Sequence, residues 1–361
     1  SLPAIPSPTS TPTPSPTATP TLTPTDMPTS TPTATATATP TLVVVNPRKG
    51  LEDFQAGVAI LVYGNDRHLE EERRKQLPYL AGLHTNSLSL VFPIYQEDRT
   101  ATEVYAGEET PSKERLATFI REAHRLGFTV TLRPLLDEKS LRPGWRGNIQ
   151  PKDRAAWFRS YAALILEYAE LAQNEAVEIF VIGAEFNSLQ GETAQWLALI
   201  ERVRRIYHGG LIYSGNWRGF ETVQFWEELD YVGIDAFFDL KVSEEATVGE
   251  MVEAWQPWLK VLRRLPDKRI IFTELGTTSQ RGSFIHPWRR EIGVPVDLEA
   301  QRRYYEASCR VTKELVQGIY WWSVGLNLPE NPEEDLGFNP LGKPAEEEIR
   351  ECFLEVYSAR E

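Results

Sequence analysis

Cysteine is scarce in this chain: two residues in 361, Cys309 and Cys352, with no Cys-x-x-Cys spacing and no histidine cluster near either. That rules against a zinc site, and no metal or cofactor is expected. The two fall in the last two helical segments, which are sequence neighbours. An extracellular setting would permit a bond between them, but free thiols are the expectation. Histidine is also sparse, and with no Gly-x-Ser-x-Gly elbow the five residues suggest no Ser-His-Asp triad. No apolar run approaches the roughly 18 residues that a membrane-spanning helix needs. Basic charge is short as well. A formal net charge of -13 leaves no basic stripe for a nucleic-acid backbone.

What is abundant is aromatic: ten Trp, thirteen Tyr and fifteen Phe, most of them expected in the core. Surplus rings can serve as platforms for sugars. Residues 1–46 are nearly all Thr, Pro, Ser and Ala. A segment of that composition cannot bury enough surface to offset its conformational entropy, so a disordered, extended stalk is expected. Stalks of this kind point to an extracellular or cell-surface, secreted protein. The start at Ser1, without an initiator Met or hydrophobic leader, suggests a processed product.

The remainder, 47–361, reads as one domain in which apolar runs alternate with helical periods. Strand candidates are 57–63, 88–95, 128–132, 177–185, 211–216, 231–238, 270–274 and 318–324. Helical patterns follow at 68–83, from 110 to 127, around 157–171, 192–207, 223–229, 251–265, 297–315 and 344–357. In the second of these, Leu116, Phe119, Ile120 and Ala123 fall at i, i+3, i+4 and i+7. Strict alternation implies parallel strands joined by right-handed crossovers, and eight such units predict an α/β fold closed as a (β/α)8 TIM barrel. A doubly wound sheet is disfavoured, because Tyr63-Gly64-Asn65-Asp66 stands where a glycine-rich phosphate loop would follow the first strand.

In such a barrel the chemistry lies at the C-terminal strand ends. Two strongly apolar strands there end on carboxylates, Glu185 and Glu274. Paired glutamates among aromatics and amides, without a metal site, suit glycoside hydrolysis, in which one carboxylic acid protonates the leaving oxygen and the other acts ionised. One of the two is therefore expected to be ionised at rest and the other to carry the proton. Arg133, Asn187, Asn216, Trp217, Asp235, Phe237 and Trp322 stand at other strand ends, and Trp145 and Trp288 in loops. Together they are expected to line a cleft for a chain of sugars, with amides reading hydroxyl orientation.

Five motifs occur in barrel order: Trp145-Arg146-Gly147, Ile182-Gly183-Ala184-Glu185, Tyr213-Ser214-Gly215-Asn216-Trp217, Val232-Gly233-Ile234-Asp235-Ala236 and Phe272-Thr273-Glu274-Leu275-Gly276. In this order they resemble glycoside hydrolase family 113, β-mannanases of the retaining barrel clan. The resemblance implies that Glu185 is the acid/base and Glu274 the nucleophile, so that Glu274 is expected to be ionised at rest, held by a donor such as Arg133 or Asn216, while Glu185 carries the proton. It also implies that Trp145, Asn216, Trp217 and Trp322 line the sugar site. Two positions depart from the clan: Ala184 stands where an Asn usually precedes the acid/base, and Phe237 where relatives tend to have Tyr. The expected activity is endo-cleavage of a β-1,4-linked mannan or glucomannan by a monomer. The other reading is a non-catalytic glycan-binding barrel displayed on the stalk.

Overall fold

The computed structural model describes residues 53–65, 68–142, 144–326 and 330–358. The stalk expected over 1–46 lies outside these. Eight parallel strands run in chain order: β1 (Gln55–Leu61), β2 (Ser87–Ile94), β3 (Thr129–Leu136), β4 (Ile179–Ala184), β5 (Gly210–Asn216), β6 (Tyr231–Asp235), β7 (Ile270–Leu275) and β8 (Gly318–Gly325). Each pairs with its sequence neighbour, and β8 returns to β1, closing the barrel that the alternation predicts. Seven α-helices cover it: α1 (His68–Ala81), α2 (Lys113–Arg125), α3 (Arg154–Asn174), α4 (Thr193–Arg204), α5 (Val248–Leu262), α6 (Leu298–Thr312) and α7 (Ala345–Ser358).

The strand sequences are apolar on both faces because both are buried. Within β4, Ile179 and Val181 join Ile212, Tyr231, Ile271 and Tyr320 in one interior cluster, while the alternate residues Phe180 and Ile182 pack with the helical layer. A second interior layer holds Ala59, Val91, Leu135 and Ala184, with Trp322 against it. This layer is the floor on which the site stands.

One expected helix is absent. Over 223–229 the chain makes one short 3-10 turn instead, Trp226–Glu228, just after another at Phe220–Thr222. Phe220, Phe225 and Trp226 are all buried there, with Trp226 donating from Nε1 to the Phe220 carbonyl at 3.1 Å. Two adjacent large rings facing inward cannot lie on a single helical stripe, so core packing overrides the local helical pattern.

The cysteines also differ from expectation. Cys309 on α6 and Cys352 on α7 form a disulfide, with Cα atoms 5.9 Å apart. The sequence shows only that their helices are consecutive, whereas the packing of α6 on α7 turns both side chains into the same buried seam. The bridge closes a loop across a sequence separation of 43. Loop-closure entropy then sets its contribution at about 4 kcal/mol, less any native strain. A Cys309→Ser/Cys352→Ser double variant should lose a comparable stability in urea unfolding, and reductant should lower the melting temperature of the parent but not of the variant.

Candidate active site

Pairing irregularities sit beside both glutamates. The β4–β5 register shifts between Val181 and Ala184, and the β6–β7 register between Ile234 and Asp235, the residue that pairs with Glu274. Such shifts re-aim side chains at a strand's end. Glu185 follows the last residue of β4 with a left-handed backbone, φ 55°. For a residue with a Cβ this costs about 1–2 kcal/mol. The conformation is fixed by bonds from Glu185 N to the Ser214 carbonyl at 2.8 Å and from Asn187 N to the Glu185 carbonyl at 2.9 Å.

The Glu185 carboxylate is buried and engaged at both oxygens. Oε1 accepts from Asn216 Nδ2 at 2.6 Å, and Oε2 accepts from Trp145 Nε1 at 3.0 Å and Arg146 Nη1 at 2.7 Å. Trp145 reaches it because Gly147 lets the indole lie against the backbone, where an added Cβ would meet the ring at 2.2 Å. Arg146 is itself anchored by Nε to the Leu136 carbonyl at 2.8 Å and pairs with Glu138 at 3.2 Å. Together the three donors fix the position of the carboxyl group.

Glu274, within β7, is held from below. Arg133 is fully buried and gives Nη2 to both Glu274 Oε1 at 2.5 Å and Asp235 Oδ2 at 2.9 Å. Nη1 donates to the Thr273 carbonyl at 3.0 Å, and Thr273 Oγ1 donates to Asp235 Oδ1 at 2.8 Å. Asn216, expected as a possible donor to Glu274, belongs to Glu185 instead. One guanidinium therefore serves two buried carboxylates. Burial first, then the charge of Asp235, pushes the Glu274 carboxyl well above the usual range, against the pull of Arg133 and Arg146. Burial likewise raises Asp235, to about 6, with Arg133 opposing. Arg133 can neutralise only one member of the pair, so Glu274 is ionised only above the pH at which the pair gives up its shared proton.

Both glutamates open into one cleft of about 490 Å³. Of the residues expected in it, Trp145, Asn216, Trp217, Phe237, Trp288 and Trp322 line it. Arg133 and Asp235 do not; both lie fully buried beneath Glu274. Asn187 does not either, because its amide packs against Gly219, where an added Cβ would lie 2.5 Å from Nδ2. The Phe237 ring meets Phe338 edge-on at 6.0 Å and offers no hydroxyl, so Glu274 depends on Arg133. The sequence reading missed Glu138, Arg146, Arg218 and Phe338, which complete the lining. Arg146 was visible as the middle of the Trp-Arg-Gly motif, and Arg218 as the residue after Trp217; Glu138 and Phe338 carried no signal. Among the described residues, no group of three or more His, Cys, Asp or Glu side chains could hold a metal ion.

The profile of Glycoside Hydrolase Family 113 matches residues 63–343, most of the chain. The chain belongs to glycoside hydrolase family 113. Among solved structures this family 113 protein is similar to the family's β-mannanase AaManA from Alicyclobacillus acidocaldarius in complex with ManMIm. The two share 27% identity at a TM-score of 0.76, over 84% of this chain and 98% of that one. A family 113 β-1,4-mannanase, 23% identical at a TM-score of 0.74, covers 84% of this chain and 99% of its own. A family 5 mannosidase from Rhizomucor miehei, in complex with mannosyl-fructose, shares the fold at 13% identity and a TM-score of 0.52, over 85% and 94% of the chains. Comparison with curated proteins finds no match.

Proposed function

We propose that this glycoside hydrolase is a retaining, endo-acting β-mannanase that cleaves β-1,4-linked mannan or glucomannan. The observation that carries the reading is the pair of glutamates, from the ends of β4 and β7, opening into one aromatic-lined cleft with separate donor sets. Ionised Glu274 attacks the anomeric carbon while Glu185 gives its proton to the departing glycosidic oxygen, so that one C–O bond forms as another breaks. Water then loses a proton to Glu185 and displaces Glu274 from the glycosyl ester. Arg133 and Asp235 act from beneath, by orienting Glu274 and setting when it is ionised. Membership of family 113 and the similarity to a structure named as a β-mannanase support the choice of substrate.

Reducing ends released from a panel of β-mannan, glucomannan and cellulose test the proposal. Mannan and glucomannan should yield a ladder of oligosaccharides with β-anomers first, and cellulose little. Exclusive cleavage of a monosaccharide glycoside would overturn the endo assignment, and glycan binding without turnover is the result a non-catalytic barrel would give. The buried disulfide and the Thr/Pro-rich leading segment support an extracellular location for a catalytic domain spanning 47–361. Zymography of culture medium against cell lysate checks it.

The buried pair sets an acid limit. Because the folded protein raises both Asp235 and Glu274, the pair takes up a proton on the acid side, and the nucleophile is lost as pH falls. Asp235→Asn removes the second cause of the rise and leaves Arg133 to Glu274 alone. The acid limb of kcat/KM should move to lower pH in this variant. The stability sign is opposite to that of a salt-bridged surface aspartate. A raised folded value means stability present at low pH and lost as pH rises through about 6, so the parent should lose stability between pH 5 and 8. The variant should lose less, as urea unfolding at the two pH values will measure.

A further inference from the structure

Trp217 is expected to offer its face to a sugar, but that face is covered. The guanidinium carbon of Arg218 lies 4.4 Å from its ring centroid, and the edge of Trp258 packs against the indole at 5.8 Å. The same guanidinium is 5.5 Å from the Trp288 ring. A flat cation thus rests beside two indoles, with 60% of its side chain exposed. At this end of the cleft the substrate meets Arg218 together with what Trp217 leaves uncovered.

The arrangement is braced. Asp239 Oδ2 contacts Arg218 Nη2 at 3.5 Å, while Oδ1 lies 3.0 Å from both Trp288 Nε1 and His286 Nδ1. Asp239 therefore joins the residue after Trp217 to the loop between β7 and α6. Its hold on the guanidinium is weak, since 3.5 Å is at the limit of a hydrogen bond. Among the described residues Asp239 is the only side-chain hydrogen-bond partner of a group with five donors. Most of its donors are left open at the mouth of a cleft whose other charged lining is Glu138, Arg146, Glu185 and Glu274. A guanidinium presents a planar fork of donors that matches a carboxylate.

We propose that Arg218 forms a subsite for a carboxylate carried by a sugar of the glycan, so that the substrate is an acidic, uronate-bearing β-linked polysaccharide. This rests on the hydrolase reading and narrows its substrate. A neutral hydroxyl accepts from Arg218 too, but without the charge-assisted gain of a carboxylate, and the difference is measurable.

Calorimetry on Glu274→Gln, in which turnover is stopped, should compare a neutral manno-oligosaccharide with one of equal length bearing a glucuronate branch. The uronate should bind tighter by about 10–100-fold, the range for charge-assisted hydrogen bonds. Added Arg218→Gln should collapse that ratio toward one, Arg218→Lys should restore part of it, and salt should shrink it. Unchanged melting temperatures confirm that Arg218 variants fold. Equal affinity for the two oligosaccharides, or a ratio that survives Arg218→Gln, would overturn the subsite. If the neutral oligosaccharide binds and is cleaved by the parent, the hydrolase reading stands while the subsite alone falls. If neither oligosaccharide binds nor is cleaved, both fall.

Discussion

Glu274→Ala should lower kcat on mannan by at least about 10⁴-fold, the scale on which removing a covalent nucleophile acts. The loss should come without unfolding, because Arg133 keeps Asp235 as its partner when the Glu274 carboxylate is gone. Removing one of two carboxylates that share a guanidinium relieves crowding of buried charge. The melting temperature is therefore expected to hold or rise while activity vanishes. Glu185→Ala should behave differently. Loss of a general acid costs about 10²–10⁴-fold, with the smaller loss on aryl glycosides whose leaving groups need no proton. Added azide should restore turnover of such substrates by attacking the glycosyl ester. Steady-state kinetics with and without azide check both variants, and parental activity in either would refute the assignment of roles.

Arg133→Met carries the largest expected effect on stability. The side chain is wholly buried, and its removal strips two buried carboxylates of their shared counter-charge and the Thr273 carbonyl of its donor. Breaking a buried pair in this way costs about 3–5 kcal/mol. The cost should grow with pH, because without the cation both carboxylates hold their protons more tightly in the folded state than in the unfolded one. Stability is then lost as pH rises through the raised folded values. Urea unfolding at pH 5 and pH 8 should show the variant closer to the parent at the lower pH. Equal deficits at both would show that Arg133 contributes packing rather than charge.

Much of this site was legible in the sequence, for a physical reason. A parallel barrel strand is buried on both faces, so it reads as an unbroken apolar run, and the polar residue that ends the run is the one facing the mouth. Glu185, Asn216 and Glu274 were found that way, and the spacing of the runs pointed to the barrel. The residues that escaped are those whose position depends on contacts distant in sequence. Arg146 meets Glu185 across 39 residues, and the Asp239 brace joins loops 47 and 49 residues apart. Asn187 shows the converse: a residue two positions past a catalytic one turned away, because the left-handed backbone at Glu185 redirects the chain. No local pattern encodes the sharing of Arg133 by two carboxylates, and that sharing decides which of them is ionised.

The bond between Cys309 and Cys352 gives the C-terminal end of the barrel a tolerance to chain cleavage. A single protease nick anywhere between those residues, including the loop that leads from β8 into α7, leaves the two pieces covalently attached. Such a molecule would run as one band on a denaturing gel until a reductant is added, then separate into two. The last helix can thus be cut loose from the backbone and still remain in place against α6.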